Sequence, residues 1–170
     1  MLEVFKIYKP KHKIIYNTSG FENLQTFKKL CKYIDILLTD FKYFDDNLAI
    51  KYSNAPNYRS VTIKVIKEYD KYKQTKVKDG ILLEGRIIRH LVLPSLITDS
   101  FKVLDEIAKL GKNHIVSIMS QFTALQNSLL NRKITALEYK AVIAHARKLG
   151  LNFGYLQDFE SADEIFIPKF

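Results

Sequence analysis

One cysteine, no tryptophan, six glycines and four prolines are few for a chain of 170 residues, and each scarcity excludes something. A lone Cys31 rules out an intrachain disulfide framework. Little Gly and Pro, set beside 47% apolar residues, excludes a disordered or low-complexity chain. No apolar run approaches the ~20 residues of a membrane span. The opening "MLEVFKIYKPKHK" has neither the apolar core nor the small-residue cleavage site of a secretory signal. A cytoplasmic protein without a membrane partner is therefore expected. Lys and Arg outnumber Asp and Glu by nine, which would suit an acidic partner. The lysines are spread over nearly every segment, however, and the Tyr and Phe residues follow no RRM-like or OB-like stacking pattern, so no nucleic-acid partner is expected.

Signature motifs are also missing: there is no Walker loop, GxGxxG, GxSxG or HExxH. His12, His90, His114 and His145 lie far apart, with no carboxylate at metal-ligand spacing, so no metal site is expected. His145 reads as a surface or packing residue, and Cys31, on the inward face of a helix, as core rather than nucleophile.

What is present is an alternation of strand-like and helix-like segments. "HKIIYN" (12–17) is a β-branched run stopped by the turn signal "TSG", and residues 21–33 place Leu24, Phe27 and Cys31 at helical spacing. Residues 34–40 are a second strand, and 45–53 a short helix. Asn54-Ala55-Pro56 opens a longer helix with Tyr58, Val61, Val65, Tyr69 and Tyr72 on its packing face. "KVKDG" (76–80) reads as a charged turn, and "GRIIRHLVLP" (85–94) as a strand apolar on both faces except at Arg89 and His90. Thr98-Asp99 is expected to cap a helix ended by Gly111. "HIVSIM" (114–119) is a fourth strand. Thr135 and Glu138 form a capping-box pattern for a helix bearing Leu137, Ala141 and Ala144, and residues 151–157 are a fifth strand. Strands apolar on both faces and separated by helices imply parallel strands with right-handed crossovers. The expected class is α/β, one domain over residues 1–170. Periodicity does not distinguish an open sheet from part of a barrel.

In parallel α/β folds ligands bind at the carboxyl ends of strands, and the polar residues collect there: Asn17-Thr18-Ser19-Gly20, then Asp40 and Lys42, then Arg89 and His90, then Ser120-Gln121, then Gln157-Asp158. Asp40 and Lys42 flank Phe41 and face one side of an extended chain. They either hold a polar ligand together or neutralise each other. Arg89 in an apolar strand demands a carboxylate, a phosphate or a ring of acceptors, and a buried pair with Asp40 would supply that need without any ligand.

Six segments in order, "IIYNTSGFE", "DILLTDFKY", "YSNAPNY", "GRIIRHLVLP", "SIMSQFT" and "ITALEYKAVIAHARKLGL", resemble the C-terminal part of radical S-adenosylmethionine proteins of the pyruvate formate-lyase activating enzyme-like group. The resemblance implies an α/β fold that is the C-terminal part of a partial (β/α)6 barrel. In that family a CxxxCxxC loop holds a 4Fe–4S cluster, which cleaves S-adenosylmethionine to a radical that abstracts hydrogen from a target, a backbone glycine in the activating enzymes. By the same resemblance, Asn17 and Thr18 match the turn beside the methionine carboxylate and a monovalent cation site. Asp40 and Lys42 match a DxK pair reaching the same region, Arg89 an arginine near the carboxylate or ribose, and Gln121 a polar residue close to the adenosine. This chain departs from the pattern decisively: it has one cysteine and no CxxxCxxC, and the glycine-rich segment for the methionine amino group is missing. Ser95, Phe122 and Ala124 stand where relatives usually carry Gly, Tyr and Pro. The implied protein is therefore a fragment lacking the N-terminal cluster-binding strands, inactive in radical chemistry by itself, with "HKIIYN" left as an edge. Its partner would be a glycyl-radical-type target enzyme or a missing N-terminal half. The rival expectations are a non-catalytic binding or accessory module, and a (β/α) barrel enzyme for a small anionic substrate.

Overall fold

The computed structural model describes residues 2–7, 11–111, 114–122, 130–151 and 153–156. It is an α/β fold in which parallel strands alternate with helices. After a short helix α1 (Leu2–Ile7) come β1 (Ile15–Thr18), α2 (Leu24–Cys31), β2 (Ile36–Asp40), α3 (Asp46–Ser53) and α4 (Tyr58–Tyr69). A hairpin of β3 (Lys76–Lys78) and β4 (Ile81–Leu91) leads to α5 (Ile97–Lys109), β5 (Ile115–Met119), α6 (Ala136–Lys148) and β6 (Phe153–Leu156). The sheet order is β1-β2-β4-β5-β6, all parallel, with β3 antiparallel to the first half of β4.

The strand order follows the chain order without a reversal. A right-handed crossover always lands on the same side when the sheet grows in one direction, so the helices must share one face. The packing agrees. Leu37, Ile88, Val92, Val116 and Ile118 point into two apolar clusters with α2 and α4 on one flank and α5 and α6 on the other. The alternate residues Leu38, Ile87, Ile115 and Met119 belong to neither cluster and are half-exposed. Among the described residues, then, one face of the sheet is covered by helices and the other carries no helix, its apolar side chains being partly buried and Ile36 buried. β1 has β2 on one side and no described strand on the other.

Several local expectations change. "KVKDG" is not a bare turn: Lys76–Lys78 pairs with β4, and Asp79-Gly80, with φ of 51° and 76°, is the two-residue turn whose twist suits a hairpin. β4 consequently starts at Ile81, four residues earlier than the apolar run suggested. Asp99 does not cap α5, which begins at Ile97; its carboxylate accepts the backbone N–H groups of Phe44 and Asp45 at 3.0 and 2.9 Å and fastens the loop after β2. The Thr135–Glu138 capping box forms. The inward face of α6, however, is Tyr139, Val142, Ile143 and Ala146, and Leu137 is 79% exposed. Tyr72 lies past the end of α4 and is largely exposed.

Gly20 follows β1 with φ +80°, and a Cβ there would lie 2.5 Å from the Asp40 carbonyl oxygen and 3.0 Å from Thr62 Cγ2. Backbone cannot yield as a side chain can. Gly20→Ala is expected to cost about 2 kcal/mol and to push the carboxyl ends of β1 and β2 apart. The urea midpoint reads the first effect, and the chemical shift of the Asp40 amide reads the second.

Candidate functional site

The carboxyl ends of β1, β2 and β4 lie side by side, because Asn17 pairs with Leu38 and Asp40 pairs with Arg89. Residues in register on parallel strands share a face, so Asn17, Asp40 and Arg89 all stand on the helix-free side. Their side chains join. Arg89 donates from Nε to Asp40 Oδ1 at 2.8 Å and from Nη2 to Asn17 Oδ1 at 2.7 Å, and its Nη2 is also ion-paired with Asp40 Oδ1 at 2.7 Å. Lys42 Nζ lies 3.3 Å from the other carboxylate oxygen, Asp40 Oδ2. One carboxylate thus stands between two cations, and the rim keeps a net positive charge. The Lys42 side chain is 32% exposed. The rim borders the partly buried apolar residues Leu38, Ile87 and Ile115 on the helix-free face. Such a place suits a ligand with an anionic end and a flat or apolar body.

Two other expected residues are placed differently. Thr18 faces the helical layer, where its hydroxyl donates to Glu22 and accepts the Gly20 N–H at 3.2 Å; it shapes the turn and does not meet Arg89. Gln121 follows β5 and is half-buried. Gln157 and Asp158, the end of the expected fifth strand, lie outside the described residues.

His90, beside Arg89 in sequence, points the opposite way and is buried. Burial pulls its pKa down to about 4, against the opposing hydrogen bond to Phe41. Its Nδ1 sits 2.8 Å from the Phe41 carbonyl, which can only accept, so Nδ1 carries the proton and Nε2 is a buried lone pair without a described partner. Phe41 N–H in turn donates to the Arg89 carbonyl at 2.8 Å. The backbone between Asp40 and Lys42 is therefore held from both sides.

The strand hides a second cation. Arg86, three residues before Arg89, falls on the helix-facing side and is 1% exposed. It forms an ion pair with Asp70, the residue after α4, and its Nη2 lies 3.4 Å from the Leu110 carbonyl after α5 and 3.3 Å from His114 Nδ1. Burial lowers the pKa of Arg86 to about 10, still far above neutrality. Because a guanidinium only donates, His114 Nδ1 must accept; burial first, and the adjacent cation second, lower the pKa of His114 to about 4. This cluster lies at the amino-terminal end of the parallel strands, opposite the rim. The spacing of three within one strand was the available signal, since it puts two arginines on opposite faces.

A small cleft of about 150 Å³ lies between the loops that follow β4 and β5, lined by Pro94, Ser95, Leu130 and Arg132 among others. The Arg132 guanidinium is committed there to Glu138 and to Ser95 Oγ. Among the described residues no group of three His, Cys, Asp or Glu is arranged to hold a metal ion, and no helix is long and apolar enough to cross a membrane. Cys31 is fully buried, and burial pushes its pKa up to about 12, so it is a thiol in the core. One such thiol cannot replace the three thiolates of an iron–sulfur cluster, and this chain's residues do not fit that group.

No family model matches the sequence. An uncharacterized protein of Methanocaldococcus jannaschii, MJ0674, is 27% identical over 147 residues, which cover 84% of this chain and 40% of that protein. The chain thus spans well under half the length of this relative.

Proposed function

We propose that this chain is the later part of a radical S-adenosylmethionine barrel of the pyruvate formate-lyase activating enzyme-like group, and that its rim binds the methionine end of S-adenosylmethionine. One observation carries the reading: Asn17, Asp40, Lys42 and Arg89 form a continuous polar array across the carboxyl ends of three neighbouring strands, on the face that no described helix covers. Sequential strand order with helices on one side is also what a sector of a (β/α) barrel requires, since a doubly wound sheet reverses its order and covers both faces. A relative more than twice as long is compatible with further barrel strands in a longer protein.

The residues act here by binding. Lys42 and Arg89 attract the carboxylate, Asn17 fixes the guanidinium plane, and Asp40 offers the ligand's amino group an acceptor while holding both cations in place. Radical chemistry needs an iron–sulfur cluster, whose thiolates would come from residues outside this sequence. The isolated chain is therefore an inactive half-site, and its natural complement is the cluster-bearing part, with a glycyl-radical-type enzyme as the target of the whole.

Isothermal titration tests this. S-adenosylmethionine and free methionine are expected to bind and compete, whereas methionine methyl ester, lacking the negative charge, should not. Arg89→Met is expected to weaken binding at least about tenfold, the loss of roughly one charge-assisted hydrogen bond. Equal binding of acid and ester would sink the reading. A second reading is favoured by one fact, that Arg89 is already satisfied by Asp40 and Asn17: the rim is then part of a binding or accessory module, or of a barrel enzyme for another small anion. Competition by simple carboxylates as strong as that by methionine would select it.

A further inference from the structure

Tyr58 opens α4, is 2% exposed, and is far from the rim in sequence, yet its hydroxyl meets three backbone groups there. It accepts the Lys42 N–H at 3.1 Å and donates to the Ser19 carbonyl at 2.8 Å, with the Asp40 carbonyl as a second acceptor at 3.2 Å. A phenol ring held by packing is a rigid post. Phe21 stacks beside it at 6.1 Å and Tyr43 meets it edge-on at 5.5 Å. No other side chain joins the loops after β1 and β2 among the described hydrogen bonds; Thr62, on the next turn of the same helix, donates to the Gly20 carbonyl at 3.3 Å and so holds the first loop alone.

We propose that Tyr58 is a positioning residue: its hydroxyl fixes the Lys42 backbone, and so the direction of the Lys42 ammonium, against the turn that carries Asn17. The value of this for binding rests on the rim being a ligand site; the fixing of Lys42 does not. Lys42 lies just beyond the last paired residue of β2, where no strand partner holds it. Without the phenol oxygen its N–H would have only water, and the ion pair with Asp40 would be left as the one restraint on the ammonium before a ligand arrived. Preorganisation of this kind raises affinity by removing the ordering cost from the binding step.

The test compares the full chain with Tyr58→Phe, using Tyr43→Phe as control, because among the described residues the Tyr43 hydroxyl bonds to Ser53 Oγ alone, at 2.9 Å, in the same neighbourhood. Amide exchange of Lys42 should accelerate about tenfold in Tyr58→Phe, with the amides of Val116 and Ile118 unchanged. S-adenosylmethionine binding should weaken by about fivefold, with no loss in the control. A Lys42 amide as protected in Tyr58→Phe as in the parent overturns the proposal, and so does an equal loss of binding in the control. Should Tyr58→Phe fail to fold, the parent decides: a slowly exchanging Tyr58 hydroxyl proton with a cross-peak to the Lys42 amide supports the proposal, and its absence overturns it. If the parent binds no S-adenosylmethionine, the functional reading falls, while Lys42 exchange still decides whether Tyr58 fixes the loop.

Discussion

Asp70→Ala is expected to be among the most damaging single substitutions in this fold, although Asp70 sits at the end of a surface helix. Its carboxylate is the counter-charge of Arg86, and Arg86 is 1% exposed. Removing one member of a buried pair leaves an uncompensated charge, at a cost of about 3–5 kcal/mol. Two helix ends soften the blow. α4 ends at Tyr69 and α5 at Lys109, and Arg86 lies where their carboxyl termini converge, with the Leu110 carbonyl 3.4 Å away. The negative ends of two helix dipoles favour a cation there. The lower figure, about 3 kcal/mol, is therefore the expectation, equivalent to roughly 6–12 °C in the melting midpoint of a domain this size. The companion variant identifies the cause. Asp70→Ala combined with Arg86→Met removes both charges and keeps the packing volume, and should melt above Asp70→Ala alone. If the double variant is the less stable of the two, Arg86 is held by its helix-end contacts and the ion pair is incidental.

Arg86 also shows where the sequence can and cannot be read. The alternation of elements, the capping box at Thr135 and the grouping of polar residues at strand ends follow from local chemistry, and local chemistry is printed in the sequence. Facing is less local. A strand apolar on both faces suggests that only apolar groups are buried in it, whereas an arginine flanked by two helix ends and an aspartate can be buried there too. The face of α6 differs from the expected one for a similar reason. Leu137, Ala141 and Ala144 keep helical spacing, but Tyr139, Val142, Ile143 and Ala146 do too, and only the position of α5 and the sheet selects between them. Tyr58 looked like packing because its ring does pack; the role of its hydroxyl depends on backbone groups far away in the chain. Asp40 with Lys42 was legible from the period of two in a strand, and the junction of that pair with Asn17 and Arg89 needed only the strand order.

Stability is expected to fall between pH 6.5 and pH 4, above the range in which most carboxylates titrate. His90 and His114 are both buried in the neutral form, each with its pKa lowered to about 4 from an ordinary 6.5. In the unfolded chain they take up protons as the pH drops below 6.5; in the folded chain they resist until about 4. The unfolded state therefore binds more protons throughout that window, and the free energy of unfolding must decline as the pH falls. A gap of about 2.5 units corresponds to about 3 kcal/mol for each histidine. Two ion-paired acids act later, whereas Asp99, whose pKa burial pushes up, works in the opposite sense. Glu84, bonded to Lys76 and Lys73, has its pKa lowered to about 2, so the stability it contributes is intact above its ordinary 4.5 and is lost only as the pH falls from there through 2. Glu138, held by Arg132, is lowered as well and behaves in the same sense. Urea midpoints measured from pH 7.5 to pH 4.5 should thus drop steadily while these glutamates still contribute in full. His114→Asn retains an acceptor for Arg86 but cannot titrate, and should remove about half of the slope. A flat profile over that range would mean that the two rings are hydrated in solution, and an unchanged slope in His114→Asn would assign the whole effect to His90.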